Sequence, residues 1–180
     1  RWVTTVGANL TDLTLGIVGL GRLGSRVCRV ARAFEMDVIA WSENLTEEKA
    51  AAEGARRVDK ETLLKTADVI TIHSVLSPRT EGLIGTAELA QMKRGAVIVN
   101  TSRGPIIDEA ALVAALHAGT IAGAGIDVYG TEPLPVDHPL RGCPNVVLTP
   151  HIGYNTAGSY RVFYGGLLES MLAWLDGAPI

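Results

Sequence analysis

Several features that would place this chain in other protein classes are scarce or missing. Its 180 residues include only two cysteines, Cys28 and Cys143, and neither has a partner at metal-ligand spacing, so we expect no metal and no disulfide. The formal net charge is −3, which provides no basic surface for nucleic acid or an anionic membrane. No apolar run is long enough to cross a bilayer. We therefore expect a cytoplasmic protein that binds neither nucleic acid nor membrane.

The beginning of the chain lacks an initiator methionine and the apolar segment of a signal peptide. We therefore expect a fragment or a processed product. Hydrophobic residues make up 47% of the sequence, which is enough for a sizeable core. A length of 180 residues fits one ordinary domain, or one domain with a short appendage.

Apolar runs alternate with segments of helical spacing along the chain. Continuous apolar strands are typical of strands buried on both faces of a parallel sheet. The pattern predicts an α/β fold with a doubly wound parallel sheet, a Rossmann-type nucleotide-binding domain. The predicted strands are Thr14–Val18, Asp37–Trp41, Val69–His73, Ala96–Asn100, Ala122–Asp127 and Val146–Leu148. The predicted helices are Leu23–Phe34, Thr46–Glu53, Lys60–Lys65, Thr86–Met92, Asp108–Ala118 and Thr156–Leu175.

A glycine-rich turn, Gly19-Leu20-Gly21-Arg22-Leu23-Gly24, joins the first predicted strand to the first predicted helix. Gly19 permits a sharp turn, Gly21 allows close backbone approach to a pyrophosphate, and Gly24 allows the helix to pack on the strand. The helix N-terminus offers N–H groups and the positive end of its dipole to the anion. The turn predicts dinucleotide binding, and the alternative is an ordinary strand-to-helix turn.

The second predicted strand is followed by Ser42-Glu43-Asn44, where an acidic residue usually binds the adenosine ribose of NAD. Here Ser42 stands at the usual acidic position and Glu43 comes one residue later. No cation follows directly, and Glu43 would repel the 2′-phosphate of NADP. We therefore expect NAD rather than NADP, with Glu43 taking over the ribose contact.

An arginine, a glutamate and a histidine follow the later strands. Because the carboxyl ends of parallel strands share one edge, we expect Arg103, Glu132 and His151 to face the cofactor. Arg103 would bind a substrate carboxylate, His151 would move a proton near neutral pH, and Glu132 would stabilise its imidazolium. The set predicts nicotinamide-dependent interconversion of 2-keto and 2-hydroxy acids. Taken singly, each residue has a structural alternative, and His73 is predicted to be a hydrogen-bonded structural histidine.

The motifs resemble those of one known family over essentially the whole chain. Besides the glycine turn, the matching segments are 89–96, 99–108, 125–129 with Glu132-Pro133, and 149–153. The chain resembles the cofactor domain of the D-isomer-specific 2-hydroxyacid dehydrogenases, which include glyoxylate and hydroxypyruvate reductases and phosphoglycerate dehydrogenase. The resemblance implies that Arg103 binds substrate and that His151 is the acid/base, with Glu132 in support. It implies cofactor contacts for Arg22, Leu23, Ser74, Val75, Thr101, Ser102, Arg103, Asp127 and Gly153. We also expect cofactor contacts for Gly19, Gly21, Gly24, Ser42, Glu43 and His151, although Ser42 departs from the acidic residue usual in the family.

The resemblance also implies a domain organisation. Family members carry a substrate domain ahead of the cofactor domain; nothing here corresponds to it, and Arg1-Trp2 resembles the stretch that enters the cofactor domain. We expect residues 1–155 to form the dinucleotide-binding domain. Residues 156–180 would form a C-terminal helix whose apolar face, with Trp174, is partly uncovered or packs on the sheet. A homodimer through the cofactor domain, a small 2-keto or 2-hydroxy acid substrate and poor turnover by the isolated chain are also expected.

Two other functions compete with this interpretation. A nicotinamide-sensing binding protein, similar to transcriptional co-repressors with the same fold and motifs, would also carry Arg103, Glu132 and His151. A dehydrogenase that acts on alcohols through Tyr and Lys is disfavoured, because no Tyr-x-x-x-Lys occurs on a predicted helix.

Overall fold

A computed structural model, which describes residues 6–178, contains a sheet of seven parallel strands joined by helices and loops. The segment Arg1-Trp2 lies outside the described residues. The strands are β1 (Thr14–Val18), β2 (Asp37–Trp41), β3 (Arg56–Arg57), β4 (Val69–Ile72), β5 (Val97–Asn100), β6 (Gly123–Ile126) and β7 (Val146–Leu148). The helices are α1 (Arg22–Ala33), α2 (Glu47–Ala52), α3 (Lys60–Thr66), α4 (Thr86–Gln91), α5 (Glu109–Ala118) and α6 (Ala157–Leu175).

The sheet has the strand order β3-β2-β1-β4-β5-β6-β7, and every pairing is parallel. The order reverses between β1 and β4, which are neighbours. Open parallel sheets bind ligands outside the carboxyl ends of their strands at such a point. The doubly wound parallel sheet is confirmed, and each predicted strand and helix is present within one residue of its predicted ends.

Strand β3 was not predicted, so the prediction of six strands was one short. This strand contains only Arg56 and Arg57, both exposed, which pair with Ile39 and Ala40 at the edge of the sheet. Strand prediction depends on apolar or alternating runs, and two exposed arginines provide neither.

Alternating residues of the central strands face two separate cores. In β2, Val38 and Ala40 belong to a smaller cluster that includes Cys28 and Ala31 of α1. Ile39, between them, belongs to the larger cluster, which includes residues of α3, α4 and α5. The sheet is therefore buried on both faces, as its continuous apolar strands predicted.

Side-chain caps begin several of the helices. Thr46, Asp59 and Asp108 accept hydrogen bonds from backbone N–H groups in the first turns of α2, α3 and α5. Helix α1 differs, because its N-terminal cap is Gly21, which has no side chain to accept such a bond. The first-turn N–H groups of α1 therefore remain suited to an external acceptor.

The chain divides into two compact units, with the boundary between Pro150 and His151. The first unit contains the sheet, and the second contains α6. No residue of α6 is buried, and Trp174 exposes 71% of its surface. Within residues 6–178, no helix combines the length and apolar character needed to span a membrane. The division into domains after residue 155 stays a prediction.

Candidate functional site

The glycine turn is held between the ends of β2 and β4. The Gly19 N–H donates to the Trp41 carbonyl at 2.8 Å. Gly19 has a φ of 98°, and a Cβ there would lie 2.7 Å from the Ser74 nitrogen. Both the left-handed backbone and the lack of space require glycine.

Gly21 and Gly24 have opposite surroundings. A Cβ on Gly24 would lie 2.2 Å from the Gly19 carbonyl oxygen, so α1 packs against the turn without room for a side chain. A Cβ on Gly21 would meet nothing within 4 Å. Open space at Gly21 beside the uncapped N-terminus of α1 fits a dinucleotide pyrophosphate, because N–H groups and the helix dipole favour an anion there.

A cleft of about 580 Å³, which we call the dinucleotide cleft, opens where β1, β2 and β4 end. It brings together residues that lie far apart in the sequence but share this edge of the sheet. The predicted cofactor residues that line it are Gly19, Gly21, Ser42, Glu43, Ser74 and Val75. Arg22 lines an adjoining groove instead, and Leu23 lines neither, with 58% of its surface exposed.

Among the other residues that line this cleft are three with basic side chains, none of which was predicted to contact the cofactor. Lys49 lies in the first turn of α2, and Arg79 lies in the long loop after β4, so neither directly follows a strand. His73, which ends the predicted strand, lies within 3.0 Å of the Thr71 hydroxyl through Nε2, as expected of a hydrogen-bonded histidine. Burial lowers the pKa of His73, which favours its neutral ring at the cleft wall.

The loop that carries Arg103 is fixed by hydrogen bonds to β5 and to the end of β4. The Asn100 side chain, almost fully buried, donates to the Arg103 carbonyl at 2.9 Å and accepts from the Ser102 N–H at 3.0 Å. The Ser102 hydroxyl donates to the Ser74 carbonyl at 2.5 Å. Thr101 and Arg103 are exposed on either side of Ser102. The Arg103 guanidinium, which donates to the Ser102 carbonyl at 2.6 Å, is therefore joined to the dinucleotide cleft through a short, fixed loop.

Tyr129 connects the loops that follow β5, β6 and β7. A Cβ on Gly104 would lie 2.0 Å from the Tyr129 carbonyl carbon, so the two loops are in backbone contact. The Tyr129 hydroxyl lies within hydrogen-bond distance of the carbonyls of Ile126 and Thr149, at 3.0 Å and 2.9 Å. Burial, with the nearby Asp127, raises the pKa of Tyr129 and keeps it a neutral donor.

Asp127 and Glu132 lie on the loop after β6 in different surroundings. Asp127 is buried and accepts a hydrogen bond from the Thr149 hydroxyl at 2.5 Å. Glu132 is exposed, and its carboxylate accepts from the Tyr129 N–H at 2.9 Å. Glu132 therefore stabilises the turn of its own loop, and its support of His151 stays a prediction.

His151 and Gly153 belong to the second unit, whose first residue is His151. His151 has a φ of 54°, and its half-buried ring meets Tyr154 edge-on with the centroids 5.8 Å apart. Left-handed backbone at a non-glycine residue is costly and concentrates at functional sites. The predicted approach of His151 to Arg103 and Glu132 stays a prediction.

Comparison with known proteins settles the family. The chain matches the model of the "D-isomer specific 2-hydroxyacid dehydrogenase, NAD binding domain" over residues 1–153. The chain belongs to this family. The resemblance, the Rossmann-type fold and NAD as the cofactor are thereby confirmed, and the glycine turn, the open space at Gly21 and the uncapped α1 fit that cofactor.

The chain matches only part of the length of its named relatives. The chain is 43% identical over 175 residues to the D-3-phosphoglycerate dehydrogenase of Bacillus subtilis, which covers 97% of the chain and 33% of that protein. It also resembles the solved structures of a phosphoglycerate oxidoreductase from Vibrio cholerae (33% identity, TM-score 0.90) and a D-lactate dehydrogenase from Aquifex aeolicus complexed with NAD and lactic acid (32%, 0.83). The two matches cover 97% and 96% of this chain, respectively, and 56% of each solved chain. The chain thus spans between about a third and just over half of the length of these relatives.

Proposed function

We propose that this chain is the cofactor domain of an enzyme that transfers a hydride between NAD and a small D-2-hydroxy acid or its 2-keto acid. NAD, when bound, supplies the nicotinamide that accepts or donates the hydride. The protein binds and orients the substrate and moves the proton that accompanies the hydride.

The observation that carries this proposal is the hydrogen bond from the Ser102 hydroxyl to the Ser74 carbonyl. It joins the loop of Arg103 to the wall of the dinucleotide cleft. An exposed guanidinium on a loop fixed by Asn100 is well suited to bind a carboxylate bidentately. A 2-keto acid so bound would have its carbonyl beside the positive charge, which polarises it.

We assign the proton transfer to His151. An imidazole donates a proton to the alkoxide that forms during reduction and removes it during oxidation. The left-handed backbone at His151 supports a functional constraint on this residue. Glu132 is assigned to stabilise the protonated ring, in addition to its hydrogen bond with the Tyr129 N–H.

The enzyme that contains this chain should lose activity in two different ways. His151→Ala removes an acid/base group and should lower kcat by roughly 10²- to 10⁴-fold. Arg103→Ala removes a charge-assisted contact and should lower kcat/KM on the order of 10²-fold. His117 and Arg94, both exposed, provide matched controls as alanine variants with nearly unchanged kinetics. An undiminished rate in His151→Ala would refute its assigned role.

A panel of 2-keto acids distinguishes this proposal from a nicotinamide-sensing binding protein. The enzyme should oxidise NADH with glyoxylate, hydroxypyruvate, pyruvate or another small member of the panel. A protein that binds NADH tightly but oxidises it with none of them would be a sensor. The isolated chain should bind NADH and turn over poorly, because part of the substrate cleft lies in another domain; full turnover would contradict that expectation.

The assembly and location that the resemblance implies belong to the same proposal. We expect a homodimer through the cofactor domain and a cytoplasmic enzyme. Sedimentation equilibrium of this chain should give twice its mass of 19.0 kDa, and a monomer at all concentrations would contradict the dimer.

A further inference from the structure

A long loop, residues 127–145, connects β6 to β7 and carries both Asp127 and Glu132. Apart from the 3₁₀ turn Pro139–Gly142, it has no helix or strand of its own, and loops of this length in compact domains tend to be functional. Asp127 directly follows β6, whereas Glu132 lies further along the loop. The position of Glu132 therefore depends on contacts between the loop and other elements of the fold.

Glu109, the first residue of α5, holds this loop at two points. Its Oε1 accepts a hydrogen bond from the Gly130 N–H at 2.8 Å, and its Oε2 lies 3.4 Å from Nε2 of His138. The side chains of Glu109 and His138 expose 26% and 18% of their surface, so the contact is better shielded from water than an ordinary surface pair. One carboxylate on a helix thus joins two distant parts of the loop.

A backbone contact orients the ring of His138. Its Nδ1 accepts a hydrogen bond from the Leu140 N–H at 3.3 Å, so the neutral ring carries its proton on Nε2. That N–H faces Oε2 of Glu109 and leaves Oε1 for the Gly130 N–H. His138 therefore fixes the direction of the Glu109 carboxylate.

The peptide unit between Tyr129 and Gly130 links Glu109 to Glu132. The Tyr129 N–H donates to Oε1 of Glu132 at 2.9 Å, and the next N–H in the chain, that of Gly130, donates to Glu109. The backbone of Gly104 packs against the same peptide, since a Cβ there would lie 2.5 Å from the Gly130 nitrogen. Packing limits how close the peptide can come, whereas a hydrogen bond also sets its direction. The direction of the Tyr129 N–H, and with it the Glu132 carboxylate, therefore depends on Glu109.

We propose that Glu109 is a positioning residue for hydride transfer, whose carboxylate, oriented by His138, fixes the Tyr129–Gly130 peptide and thereby the Glu132 carboxylate. The inference rests on the proposed function, because the role of Glu132 beside a protonated His151 belongs to that function. Glu109 does not line the dinucleotide cleft, so NADH binding should not depend on it.

Steady-state kinetics of the proposed enzyme with NADH and a 2-keto acid test this inference. Glu109→Ala should lower kcat roughly tenfold, because small misplacements of catalytic groups slow the reaction, and should leave the KM for NADH unchanged. Glu109→Gln keeps an oxygen that can accept from the Gly130 N–H, so it should retain most of the original kcat.

Glu88→Ala is the matched control for a general loss of stability. Glu88 lies in the first turn of α4, accepts a hydrogen bond from the Gly85 N–H at 3.0 Å and pairs with Lys60 at 2.8 Å. It therefore makes the same two kinds of contact as Glu109, but neither partner belongs to the loop. Glu88→Ala should lower Tm at least as much as Glu109→Ala does, with kcat unchanged.

A double substitution shows whether Glu109 acts through Glu132. In a Glu132→Gln background, adding Glu109→Ala should lower kcat little further. The inference is overturned if Glu109→Ala keeps the full kcat, if Glu109→Gln is as slow as Glu109→Ala, if Glu88→Ala lowers kcat equally, or if the losses from Glu109→Ala and Glu132→Gln multiply. These outcomes all require an active unsubstituted enzyme. If that enzyme oxidises NADH with no 2-keto acid, the proposed function fails, and the inference fails with it.

Discussion

Replacing Gly24 and Gly21 by alanine, one at a time, separates the packing role of the glycine turn from its binding role. At Gly24 the new Cβ would lie 2.2 Å from the Gly19 carbonyl oxygen and 3.3 Å from the Ile17 side chain. The closer atom belongs to the backbone and cannot rotate away, so α1 must move off β1. At Gly21 the new Cβ would meet nothing within 4 Å, and the backbone is extended, with φ −90° and ψ −161°.

The two substitutions should differ clearly in stability. Overpacking a core costs about 1–3 kcal/mol, and we expect Gly24→Ala near the upper end because the clash is with backbone. For a chain of this length, about 3 kcal/mol lowers Tm by roughly 6–12 °C. Gly21→Ala replaces a residue favoured at the N-cap by one that is not, which destabilises the chain. Alanine also makes the unfolded chain less flexible, which stabilises the folded state. Because the two effects oppose each other, the free energy of unfolding should change by no more than about 1 kcal/mol.

Thermal unfolding and NADH titration together test this prediction. Gly24→Ala should unfold at the lower temperature. Gly21→Ala should unfold near the original temperature but bind NADH at least about tenfold more weakly, because its methyl group occupies the space needed for close backbone approach to the pyrophosphate. Equal stabilities of the two variants would refute the packing argument, and unchanged NADH binding by Gly21→Ala would refute the position assigned to the pyrophosphate.

Two further substitutions test other parts of the structure. Gly104→Ala places a Cβ 2.0 Å from the Tyr129 carbonyl carbon, so it should destabilise the chain by about 3 kcal/mol in urea unfolding, whereas Gly95→Ala, which has nothing within 4 Å, should not. Burial lowers the pKa of His73 in the folded state. As the pH drops below about 6.5, the unfolded state therefore takes up a proton on this ring before the folded state does, and Tm should fall. His73→Gln should flatten this pH dependence of Tm, and an equally steep dependence in that variant would exclude His73 as its source.

The sequence predicted the fold well because its signals are local. Five of the seven strands are runs of four or five mostly apolar residues, and such runs are recognised from neighbouring residues alone. Strand β3 was not predicted, because it is a strand through its pairing with β2 and its own two arginines carry no strand pattern.

The candidate site was predictable to the extent that its residues directly follow strands. Ser42 was found in this way and Ser74 through the family resemblance, and both line one cleft. Lys49 and Arg79 were missed, because a helix and a long loop bring them to the cleft from positions with no sequence signal. The need for glycine at Gly104 was also hidden, since it arises from contact with Tyr129, a residue far along the chain.

The most direct test of the proposed function follows the hydride itself. The proposed enzyme would be incubated with a small 2-keto acid and NADH carrying deuterium at the transferable position of the nicotinamide. We predict a D-2-hydroxy acid with deuterium on its second carbon, identified by chiral chromatography and mass spectrometry. NADH that remains unoxidised with every 2-keto acid, or deuterium found only in the L-isomer, would contradict the proposed function.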